Sequence, residues 1–273
     1  MRSGKGSARK YRTRSRGRGL LMLMAGALLG AGALAFSRGW SLLPQRAESI
    51  APIALSSPED REEAEVTLTL PGLSWYALQT GSFQSLDEAL AQGEAFRKRG
   101  AGGYVFRKNQ YLVLAAAYDT RSDAQAVGNR LLTQRQVEMK TVEITRPQVV
   151  IKMSGQKALL TAIQDAYSAV DQMAYRLFSL SQEIDTGAAN QESARAALLS
   201  ERDTALALAK RLKELSQGNV HKAVGDLILI LEDVSAGLDE GLTAQSLTAL
   251  GGQIKYCQLL CVCQMAAYQE NLR

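Results

Sequence analysis

The side chains best suited to covalent or metal chemistry are few. The 273-residue chain has one histidine, His221, and three cysteines, Cys257, Cys261 and Cys263. A zinc hydrolase site needs several His, Cys or carboxylate ligands converging on one point, and a single imidazole does not furnish that set. A Cys–His nucleophile requires His221 beside one of the thiols, and nothing in the spacing brings them together. Cys257 and Cys261 stand four apart on one helix face, where small apolar side chains pack. An odd number of cysteines in one short stretch is no disulfide framework. No Walker loop and no dinucleotide fingerprint is present. The chain is therefore expected to be non-enzymatic, with no metal and no cofactor.

The groups that remain are binding groups, and they cluster between residues 73 and 146. Trp75-Tyr76-Ala77-Leu78-Gln79 has strand composition, and Gly81 interrupts it. Ser85, with Glu88 three places on, predicts a capping box. Leu86, Ala89, Leu90, Gly93 and Phe96 then recur at helical spacing up to Gly100. Arg97-Lys98-Arg99 fits a solvated helix end, where positive charge suits the dipole. Tyr104-Val105-Phe106 predicts a second strand, Lys108-Asn109-Gln110 a polar turn, and Tyr111 to Ala117 a third strand. Ser122 opens a second helix, with Ala124, Ala126, Val127, Leu131 and Leu132 on one side. Val137 to Ile144 alternates as a fourth strand. The order β-α-β-β-α-β predicts a four-stranded antiparallel sheet with two helices on one face. No sequence within the segment is left to cover the opposite face, which is expected to be a wet or ligand-binding surface.

These residues resemble the SPOR domain family over 73–146, about a quarter of the chain. The family's aromatic strand ends in Gln-x-Gly-Ser-Phe, as in Gln79-Thr80-Gly81-Ser82-Phe83. Ala89, Leu90 and Gly100 follow the pattern of its first helix. Ser122-Asp123-Ala124 begins the second helix in the same manner. The third strand departs from the family. Tyr111-Leu112-Val113 replaces Tyr-Arg-Val, and Ala116-Ala117-Tyr118 replaces Gly-Pro-Phe.

The resemblance implies binding of peptidoglycan glycan strands stripped of stem peptides, at division septa or in sporulation. It implies a site on the open sheet face, with Gln79 and Ser82 at glycan-lining positions. A Gln amide both donates and accepts hydrogen bonds, which suits sugar hydroxyls and acetamido groups. Tyr104, Phe106 and Tyr111 offer flat apolar surface to sugar rings, and alternation puts Tyr104 and Phe106 on one face. Leu112 at the family's Arg position puts glycan affinity in question.

Net charge reinforces the choice of ligand. Residues 1–18 hold eight basic side chains and no acid, whereas the rest of the chain holds 24 basic against 27 acidic. The basicity is thus confined to a tail. A nucleic-acid ligand, which needs basic residues on the folded surface, is not expected. Residues 19–37 are uncharged and predict a transmembrane helix of roughly 28 Å. Eight basic residues before the span and only Arg38 just after it set the N-terminus in the cytoplasm and the remainder outside. A cleavable signal peptide ending at Ala33-Leu34-Ala35 is the rival reading, and it exports the same residues. Gly26 and Gly30 form a GxxxG pair, a spacing that Gly/Ala-rich spans also produce by chance.

Residues 38–72 hold four of the five prolines and an acidic run, and are read as a linker. Residues 155–273 hold no proline and carry four amphipathic stripes, which predict an antiparallel four-helix bundle. The expected whole is an α+β protein of the bacterial cell membrane. It comprises a basic cytoplasmic tail (1–18), a transmembrane helix or signal anchor (19–37), a linker (38–72), a SPOR-like domain (73–146) and a helical bundle (155–273). Its expected partners are peptidoglycan, the membrane and a protein docking on the bundle. The alternative is an envelope scaffold acting through the bundle, with a sheet that no longer binds glycan.

Overall fold

The computed structural model describes residues 62–216 and 221–273. The expected basic tail and transmembrane helix lie outside the described residues. Among the described residues no helix is long and apolar enough to cross a membrane.

The chain is α+β: antiparallel sheets with interleaved helices, followed by a four-helix region. Its elements in order are β1 (Glu63–Leu70), β2 (Leu73–Phe83), α1 (Leu86–Arg97), β3 (Tyr104–Arg107), β4 (Tyr111–Tyr118), α2 (Arg121–Arg135), β5 (Lys140–Arg146) and β6 (Val149–Gln156). Helices α3 (Lys157–Thr186), α4 (Gln191–Leu215), α5 (Lys222–Leu242) and α6 (Leu247–Asn271) complete the elements of the described residues. The second to seventh elements realise the β-α-β-β-α-β order, with the sheet arranged β3-β4-β2-β5.

Local chemistry accounts for most boundaries. Thr120 caps α2 by accepting from the Asp123 N–H at 3.1 Å. Asn190 and Ser193 form a capping box at α4, and Gly187 ends α3 in the left-handed region. Ser85 stands at the N-cap of α1 without a side-chain bond, so the capping box expected with Glu88 is not formed. Thr243 closes α5 rather than opening α6, which Ser246 caps. Gly93 and Gly103 let α1 lie on the start of β3. A Cβ on Gly93 would fall 2.3 Å from the Gly103 carbonyl oxygen, and Gly103 itself has φ +64°.

The assignment of residues 38–72 to a linker is corrected at its end. Ala64, Val66, Leu68 and Leu70 alternate with exposed Glu63, Glu65, Thr67 and Thr69, and the acidic run disguised this period of two. β1 pairs antiparallel with β6, from Glu63 opposite Gln156 to Leu70 opposite Val149. The resulting ribbon packs its apolar side on α3.

Helices α3 to α6 form a closed ring of antiparallel neighbours. Ion pairs fix the order: Arg211–Asp165 and Arg176–Glu201 join α4 to α3, and Lys213–Glu232 and Arg202–Asp239 join α4 to α5. Gln264–Asp233 and Gln253–Gly237 join α6 to α5. The sheet and the helices share one core. Trp75, Ala77, Leu114 and Ile144 from the sheet are continuous with Leu177, Leu231, Leu259 and Val262 from the helices. At about 25 cal/mol per Å² of apolar surface, burial on this scale makes the two halves one stabilising unit.

Candidate functional site

The sheet has two faces, and the register assigns each side chain to one. Residues directly opposite each other across a ladder project to the same side. Lys140, Gln79, Leu114 and Tyr104 form one row across β5, β2, β4 and β3. Ser82, Leu112 and Phe106 form the next row on the same face. Five of the six residues named from the sequence therefore share a face. Two irregularities make this possible. β2 and β4 slip register between Leu78 and Gln79 and again between Gln79 and Gly81. Thr80, in the second bulge, donates its hydroxyl to the Val113 carbonyl at 3.1 Å.

Tyr111 is the exception. It pairs with Phe83 and Arg107, so it lies on the reverse face, with the Arg107 guanidinium 6.0 Å from its ring centre. Its grouping with Tyr104 and Phe106 is corrected: neighbours along a strand project to opposite sides, and Tyr111 precedes Leu112.

The expectation of an open face is also corrected. α6 crosses it. Tyr256 of α6 lies 5.6 Å from Tyr104, ring to ring, and the Gln258 amide donates to the Ala117 carbonyl at 3.0 Å. Lys255 donates to the Gly100 carbonyl at 3.0 Å and pairs with Asp185 at 2.7 Å. At the far side of the sheet Gln269 donates to the Pro71 and Pro147 carbonyls. These anchors fall where β3 and β2 begin and where β4 and β5 end. The apolar Trp75, Ala77, Leu114 and Ile144 required a cover, and the chain after Pro147 returns to provide it.

The other end of the face is less enclosed. Gln79, Leu112 and Phe106 are half-buried there, while Ser82 and Lys140 are exposed. Phe106 and Leu112 rest against the shared core, which fixes their position. Gln79 donates to the Gly81 carbonyl at 3.3 Å, and its amide oxygen has no partner among the described residues. Lys140 has no ion-pair partner among the described residues. The result is a polar and apolar patch with the exposed positive charge of Lys140 on it, suited to a hydroxylated, weakly anionic ligand. Sequence reading missed Lys140, although the alternation of Lys140, Val142 and Ile144 was legible.

Beside Tyr104, on the edge of β3, a cleft of about 410 Å³ opens between α1, α5 and α6. Tyr104, Tyr256, Arg97, Asp233, Glu240 and Gln264 line it. Burial, with Cys263 and Tyr256 nearby, pushes the Tyr104 hydroxyl far above the usual tyrosine range, so it stays protonated. The three thiols are buried in α6, and burial raises all of them, Cys261 to about 12. Among the described residues no group of three or more His, Cys, Asp or Glu is arranged to hold a metal ion. No family model, no curated protein and no solved structure matches the chain.

Proposed function

We propose that this chain is a non-enzymatic, membrane-anchored envelope protein that binds peptidoglycan glycan strands at the less enclosed end of its sheet face. One observation carries the reading: the register sets Gln79, Ser82, Leu112 and Phe106 in adjacent rows on one face, with the exposed Lys140 directly opposite Gln79. The SPOR-like order of residues 73–146 supplies the ligand class. Removal of stem peptides leaves a free lactyl carboxylate on the sugar. Lys140 supplies a positive charge for that carboxylate in place of the Arg that the family carries at Leu112. Gln79 and Ser82 bond hydroxyl and acetamido groups, and Phe106 and Leu112 give apolar contact to a ring. The uncharged span 19–37 would hold this surface outside the cytoplasmic membrane.

The test is sedimentation of the full chain, in detergent, with sacculi that are intact or stripped by amidase. Binding that rises on stripping, and falls at least about tenfold in Lys140→Glu or Gln79→Ala (about 1.4 kcal/mol), supports the reading. Equal binding by wild type and both variants would overturn the site. The cover of α6 over half of the face favours a second reading, a scaffold that docks a protein on the bundle. Absence of binding to either sacculus is the result that selects it.

A further inference from the structure

The cleft at the edge of β3 is lined by Tyr104, which lies two residues along the strand from Phe106 of the proposed glycan surface and on the same face. Its lining is assembled by three helices that the β-α-β-β-α-β segment alone would lack or leave unpaired. Gln264 donates from α6 to Asp233 of α5 at 2.7 Å. Gln253 donates to Glu240 at 3.2 Å. Both carboxylates accept from side-chain amides, and both residues are exposed and line the cleft. The Arg97 guanidinium lies 4.5 Å from the Tyr256 ring centre and 3.7 Å from Glu240. Neither tyrosine hydroxyl has a hydrogen-bond partner among the described residues.

Planar, pre-fixed acceptors and donors beside aromatic rings are the groups that bind vicinal sugar hydroxyls, since each hydroxyl both donates and accepts. The volume falls within the range of about 300–1,000 Å³ usual for small-molecule sites. Arg97 lies against the Tyr256 ring and offsets the Glu240 carboxylate, leaving that of Asp233. The cleft's remaining net negative charge disfavours a carboxylate-bearing sugar.

We propose that this cleft is a second glycan subsite, built by the helices, that takes a neutral N-acetylhexosamine unit lying beyond the disaccharide whose acidic unit sits over Gln79 and Lys140. This rests on the glycan reading above and extends it: α5 and α6 supply one wall of a longer groove. Asp233 and Glu240 accept from ring hydroxyls, Gln264 and Arg97 orient them, and Phe106 and Tyr104, on one face of β3, connect the two subsites.

The experiment measures affinity of the full chain in detergent for stem-peptide-free glycan disaccharide and hexasaccharide. Wild type is expected to bind the hexasaccharide about tenfold more tightly. The double variant Asp233→Ala with Glu240→Ala, at two exposed positions, is expected to lose that preference while keeping disaccharide affinity. Lys140→Glu is expected to weaken both ligands alike. Disaccharide binding without a length preference in wild type, or a preference retained in the double variant, overturns the cleft and leaves the sheet site standing. No binding of either oligosaccharide by wild type overturns both.

Discussion

The Arg146 guanidinium and the Gln269 side-chain carbonyl are joined by a buried hydrogen bond, Nε to Oε1, of 2.5 Å. Arg146 ends β5 and Gln269 stands in the last turns of α6, so this pair ties the sheet to the helix that covers it. The same guanidinium bonds Asp171 and the Tyr167 hydroxyl of α3. The Gln269 amide bonds the carbonyls of Pro71 and Pro147, fixing the two points where the chain passes between the sheet and the β1–β6 ribbon. Removing the arginine leaves a carboxylate, a phenol and an amide oxygen short of donors. Arg146→Met is expected to destabilise the fold by about 3–5 kcal/mol, read as a lower denaturant midpoint. A midpoint within experimental error of wild type would show that the node is not structural.

Close backbone approach makes a second test. A Cβ on Gly252 would lie 2.1 Å from the Arg97 carbonyl oxygen and 3.1 Å from that of Ala101. Both obstacles are main chain, so they cannot swing aside. Gly252→Ala, although favourable to helix propensity, should cost about 1–3 kcal/mol by forcing α6 off the end of α1. Thermal melting of the variant against wild type reads this directly, and an unchanged or raised Tm would contradict the close packing.

The segment 73–146 should not behave as an independent domain. Without α3 and α6, Trp75, Ala77, Leu114 and Ile144 lose their cover. Such an exposed apolar patch predicts dye binding and association. The isolated segment is expected to bind a hydrophobic fluorophore and self-associate, whereas residues 62–273 unfold in one transition. A monomeric, dye-negative fragment with a cooperative melt would count against the shared core.

Alkaline pH should destabilise the protein. Burial raises Tyr118 and Tyr268 to about 12, and Cys261 also to about 12. In the unfolded chain these groups ionise near about 10 for tyrosine and 8.5 for cysteine. Above those values the unfolded state binds fewer protons than the folded one, so stability falls as pH rises. The contribution is whole below about pH 8.5 and is lost progressively towards about pH 12. Denaturant midpoints that decline across this window, with tyrosinate absorbance lagging until unfolding, are the expected result. Constant midpoints up to about pH 11 would refute it.

The sequence by itself determined all of the described elements but β1 and β6. The β-α-β-β-α-β order, the four helices and the break at Gly187 and Asn190 follow from period, caps and glycines, which are local. Alternation put Tyr104 and Phe106 on one face, and the register places them so beside Gln79, Ser82 and Leu112, whereas Tyr111, grouped with them in expectation, lies on the reverse face. Tertiary structure decided what that face meets. α6 is buried on nearly all sides, carrying Gln253, Lys255, Gln258 and Gln269 inside, so the single amphipathic stripe read on it did not announce that it lies between the sheet and the other helices. β1 was hidden because the acidic run masked its alternation and because its partner, β6, pairs from far along the chain, Leu70 with Val149 and Glu63 with Gln156. Periodicity reports how a segment divides its own side chains between two environments. It does not report which distant segment supplies the buried one, and here that choice turned an expected open surface into a half-covered one.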